Sequence, residues 1–98
     1  MAIIEKTYTQ SPEVLWNVIN DIVEMRKGKV CRYDGNSIAV STEMYGIKTE
    51  YVFRVVCTDD QTSVSIETGC KIDDEMMQVE LMFTTLEKML QPFAQERN

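Results

Sequence analysis

Residues 2–9 alternate, with Ile4, Lys6 and Tyr8 on one side and Ile3, Glu5 and Thr7 on the other. That is the period-2 spacing of a strand. Ser11-Pro12-Glu13 then breaks the alternation. Ser is a good N-cap, and Pro suits the first helical position, where its missing N–H costs nothing. Leu15, Trp16, Ile19, Ile22 and Val23 follow at helical spacing, and Val14, Val18 and Met25 widen the apolar stripe to about half the circumference. Arg26 and Lys27 suit the negative helix end, and Gly28 is expected as a left-handed cap.

Alternation resumes over 29–33 and 37–43, joined by Asp34-Gly35-Asn36, residues that tolerate the positive φ of hairpin turns. One residue more or less in that turn decides whether Cys31 or Arg32 faces the core. Tyr45-Gly46 marks the next turn. The strand over 47–57 then sets Ile47, Thr49, Tyr51, Phe53, Val55 and Cys57 on one face and Lys48, Glu50, Val52, Arg54 and Val56 on the other. Asp59-Asp60 turns into a strand over 62–70, with Val64, Ile66, Thr68 and Cys70 against Ser63, Ser65 and Glu67. One apolar and one polar face per strand is the signature of an antiparallel sheet solvated on one side.

A second helix is expected from about Asp73 to Gln91, with Asp73-Asp74-Glu75 at its positive end. Its stripe is Val79, Met82, Phe83, Leu86, Met89, Leu90 and Phe93. Pro92 should end or kink it, having no N–H and crowding the preceding turn. Met77 and Leu81 fall off the stripe and are candidates for an interface. The expected architecture is α+β, in the order β-α-β-β-β-β-α. A curved antiparallel sheet of about five strands wraps on the long C-terminal helix, in a single domain over residues 1–98.

Charge and composition narrow the chemistry. A net charge of −6 argues against nucleic acid, which needs a surplus of Lys and Arg, and against an anionic membrane surface. No apolar run approaches the roughly 20 residues of a membrane span, and Glu5 and Lys6 interrupt any signal-peptide pattern. Three cysteines without close spacing favour free thiols and a cytoplasmic setting. Cys57 and Cys70 are expected as small core residues.

There is no histidine, which removes the usual Ser-His-Asp and Cys-His catalysts and His-ligated metals. Asp59-Asp60 and Asp73-Asp74-Glu75 lack calcium-loop spacing. No catalytic residue, metal or cofactor is therefore expected. Arg26, Lys27, Lys29 and Arg32 form a basic cluster able to receive a phosphate or carboxylate, or simply to compensate a helix end.

The segment Tyr8-Thr9-Gln10-Ser11-Pro12-Glu13-Val14-Leu15-Trp16, with Asn20-Asp21 further on, resembles the start of the START/Bet v 1-like (SRPBCC, helix-grip) superfamily. The order of elements is similar over nearly the whole chain. Members of that superfamily usually have more strands and an extra helix, so this would be a minimal version. The resemblance implies a binding protein holding an apolar or aromatic small molecule between sheet and C-terminal helix. Tyr8, Trp16, Tyr51, Phe53 and Phe83 read either as ordinary core packing or as the lining of such a pocket, whose polar handles would then be Tyr8, Tyr51, Thr49, Thr68 and Arg32 or Arg54. The alternative is a cavity-free domain acting through self-association or a protein partner. A third reading, a cyclase-like enzyme, would need an acid or base in the pocket.

Overall fold

The computed structural model describes residues 2–44, 46–69 and 75–95. Its elements are β1 (Ala2–Tyr8), α1 (Pro12–Met25), β2 (Lys29–Asp34), β3 (Ser37–Met44), β4 (Ile47–Cys57), β5 (Thr62–Thr68) and α2 (Glu75–Gln95). The strands form one open sheet in the order β1-β5-β4-β3-β2, every neighbouring pair antiparallel. This is the expected α+β architecture.

Both helices lie on one face of the sheet. α2 packs over β1 and β5, α1 packs over β4, and the helices touch each other. Alternation decides what they cover: Tyr51, Phe53 and Val55 of β4 and Val64, Ile66 and Thr68 of β5 are buried beneath them. Leu15, Val18, Ile19 and Ile22 of α1 and Val79, Met82, Phe83, Leu86 and Leu90 of α2 complete the core. Val18 thus belongs to the centre of the α1 stripe, Trp16 and Val23 to its partly buried flanks, and Met25 is 60 % exposed.

The start of α1 is as expected. Ser11 is extended (φ −68°, ψ 157°) and its hydroxyl accepts the Val14 amide. The end differs. Gly28 has no positive φ; Lys27 does, at 54°. The Gly28 amide donates to the Val23 carbonyl at 2.7 Å and the Lys27 amide to that of Glu24 at 3.0 Å. These are the two bonds of a Schellman motif with Lys27 in the left-handed position. Glycine is needed one residue later for room: a Cβ on Gly28 would stand 2.7 Å from Cγ1 of Val40.

Two further expectations are corrected. α2 runs through Pro92 to Gln95. Proline withholds one hydrogen bond, from the carbonyl of the exposed Lys88, while Leu86 and Leu90 hold this end of the helix on the core. Cys57 is exposed, because β4 ends there, beyond the helix-covered span. Cys70, Asp73 and Asp74 lie outside the described residues.

The β2–β3 hairpin closes on Gly35 (φ 58°) and Asn36, with Asp34 opposite Ser37. Val30 pairs with Val40 and Arg32 with Ala39, so Cys31 is the extra residue of a β-bulge. Neither Cys31 nor Arg32 faces the core; the whole of β2 is exposed.

Candidate functional site

The space between sheet and helices is nearly full. The void there measures about 10 Å³, with Ile22, Val23, Arg26, Val40, Tyr51 and Met82 among its walls, room for about one water. Tyr51 and Phe53 adjoin it, their ring centroids 6.4 Å apart and tilted by 37°. The Tyr51 hydroxyl donates to Oε1 of Gln78 on α2 at 3.5 Å. Thr49 stands further along β4, paired with Thr42 of β3, and Thr42 also borders the void.

Arg26, the C-cap residue of α1, forms the outer wall. Its Nε is buried and has no hydrogen-bond partner among the described residues. A buried donor left unpaired costs about 1–3 kcal/mol. The sequence pattern supplies no sign of this, since Arg26 reads there as dipole compensation. On its outer side Arg26 also borders a cleft of about 400 Å³ lined by Met25, Thr42 and Glu43. Arg26 and Thr42 thus stand between void and cleft.

The other expected site residues are dispersed. Phe83 is wholly buried, with the Lys6 ammonium 5.1 Å from its ring centroid. Thr68 is buried and its hydroxyl donates to the Glu50 carbonyl at 3.0 Å, so it is a structural clasp between β4 and β5. Tyr8 lies on a groove of about 190 Å³ with Gln10, Glu87, Leu90 and Gln91. Burial first, then its hydrogen bond to Glu87 and the charge of that carboxylate, raise the Tyr8 phenol well above its ordinary pKa. It is a proton-bearing donor there, not a base. Trp16 lines a separate groove with Asn20, Val30, Tyr33 and Ile38.

Arg32 and Arg54 are exposed and lie on the sheet face away from the helices, opposite Ala39 and beside Val52 respectively; neither is a handle for the interior. The basic cluster divides likewise, with Arg26 at the cleft and Lys29 and Arg32 on the exposed strand β2. Met77 and Leu81 are 50 % and 49 % exposed on α2.

No protein-family model matches the chain, and no curated protein sequence matches it. Among solved structures it is similar to the crystal structure of CalU16 from Micromonospora echinospora, with a TM-score of 0.69 over 94 % of this chain and 72 % of that one. Sequence identity is 15 %, so the likeness is one of fold alone. No helix among the described residues is long and apolar enough to cross a membrane.

Proposed function

We propose that this chain is a minimal helix-grip binding domain whose ligand enters at the mouth between the end of α1, β3, β4 and α2. The ligand class is a mostly apolar small molecule carrying an oxygen acceptor. The observation that carries this reading is the Nε of Arg26 at the boundary of void and cleft, buried and without a hydrogen-bond partner among the described residues. A carbonyl or carboxylate oxygen placed there satisfies that donor, and a hydrogen bond from a charged group is among the stronger ones.

The closed interior cannot hold the ligand body. The outer cleft, about 400 Å³, is within the range of small-molecule sites. Inward reach depends on Arg26 and Met82, two unbranched side chains that can turn aside. Apolar ligand surface buried in that cleft against Met25 and the aliphatic stem of Arg26 contributes about 25 cal/mol per Å² before ordering costs.

Titration with 8-anilinonaphthalene-1-sulfonate, an aromatic anion that fluoresces in apolar sites, tests the reading. One saturable site is expected in the parent protein. Arg26→Met, and separately Thr42→Trp, which fills the cleft, weaken it about 10-fold or more, the scale of a lost charged hydrogen bond. Equal affinity in all three folded proteins, or no saturable site, overturns it.

A further inference from the structure

The bulge at Cys31 gives β2 an unusual edge. The Asn36 carbonyl accepts the Val55 amide at 2.9 Å, which sets the parity of β3: residues 36, 38 and 40 turn their backbone groups toward β4, and 37, 39 and 41 toward β2. Their partners Asp34, Arg32 and Lys29 are therefore bonded into the sheet. Val30 and Tyr33, opposite Val40 and Ile38, turn N–H and C=O to the free edge. In a regular strand, positions three apart would differ both in face and in edge. The extra residue cancels that difference, so Val30 and Tyr33 share the free edge and the helix side of the sheet.

That side is uncovered at β2. Val30 is 51 % and Tyr33 71 % exposed, and with Trp16 and Asn20 they line a groove of about 270 Å³. The strand reads Lys29-Val30-Cys31-Arg32-Tyr33-Asp34. Set antiparallel to a second copy about a centre between Cys31 and Arg32, it is self-complementary. Val30 meets Tyr33 of the copy with matching outward backbone groups, and Lys29 meets Asp34 with opposite charge.

We propose that β2 pairs with β2 of a second copy of this chain, joining two five-stranded sheets into one. The occupant is a second copy because one register satisfies charge, side-chain face and backbone hydrogen bonding together. The two-fold axis stands across the sheet, so both copies present their helices on the same side. Trp16, Val30 and Tyr33 of each then flank the same apolar seam. Lys29 and Arg32, which ward off strands of arbitrary sequence, are tolerated here through Asp34. The seam lies along β2 beside Trp16 and Asn20, whereas the ligand mouth lies at the C-terminal end of α1, at Met25 and Arg26.

Sedimentation equilibrium from micromolar to millimolar protein, with helicity checked by circular dichroism, tests it. The parent is expected to show a monomer–dimer equilibrium. Lys29→Asp and Asp34→Lys each raise the dissociation constant about 10-fold, the scale of exchanging two cross-strand ion pairs for like-charge pairs. Lys29→Asp combined with Asp34→Lys restores it to within about 3-fold. A strict monomer overturns the proposal. So does a dimer indifferent to these changes, and if Met77→Glu then dissociates it, the interface lies on α2.

Discussion

The Tyr8 hydroxyl donates to Oε2 of Glu87 at 2.9 Å, joining β1 to α2 across 79 positions of chain. Lys6 approaches the same carboxylate oxygen at 3.6 Å, but both of those side chains are nearly half exposed. That ion pair therefore adds little. The hydrogen bond is the firmer tie, and it fixes one edge strand to the helix that closes the core.

Tyr8→Phe should cost about 1 kcal/mol in urea unfolding near neutral pH, the net value of such a bond. The pH dependence follows from the raised phenol. The unfolded chain releases the Tyr8 proton near the ordinary value of 10.0 while the folded chain retains it. Above that pH the unfolded state binds fewer protons, so stability falls as pH rises. The stability gap between parent and variant should be constant below this point and narrow above it.

Lys27→Gly and Gly28→Ala should act in opposite directions, although they are neighbours. The first relieves a side chain held at φ 54° and should add up to about 1 kcal/mol. The second drives a methyl into Val40 and Val23 and should cost about 1–3 kcal/mol. Thermal melts of the two single variants check both signs.

Arg26→Met should raise stability by about 1 kcal/mol, because it removes a buried donor that has no partner among the described residues and keeps an unbranched stem. An unfolding titration without ligand measures this. A gain in stability together with a loss of dye affinity identifies Arg26 as kept for binding rather than for folding.

Phe83→Ala should cost about 3–5 kcal/mol, the range for deleting a wholly buried ring. Lys6→Met should cost at most about 1 kcal/mol, since it removes the ammonium above that ring and its weak, half-exposed pair with Glu87. Unfolding titrations of the two variants and their double mutant give the coupling, which should be of the size of the Lys6→Met effect.

The order of elements and the buried faces of β4, β5 and α2 were legible in the sequence, because each depends on local periodicity. Tyr51, Phe53 and Val55 alternate, and Val79, Met82, Phe83 and Leu86 recur every three or four residues, whatever lies against them. The Ser11 cap was legible for the same reason, since donor and acceptor are three residues apart. Tertiary packing alone decided the rest. Whether β2 carries a bulge depends on its register with β3, and that register determines that Val30 and Tyr33 share a face while Cys31 and Arg32 leave the core. Val40 requires glycine at position 28 for room, while the left-handed residue is Lys27. Helices laid over β1, β5 and β4 left β2 bare, filled the interior to about one water, and shut Arg26 Nε away from solvent. Each of these arises from contact between residues distant in the chain, which no spacing along it encodes.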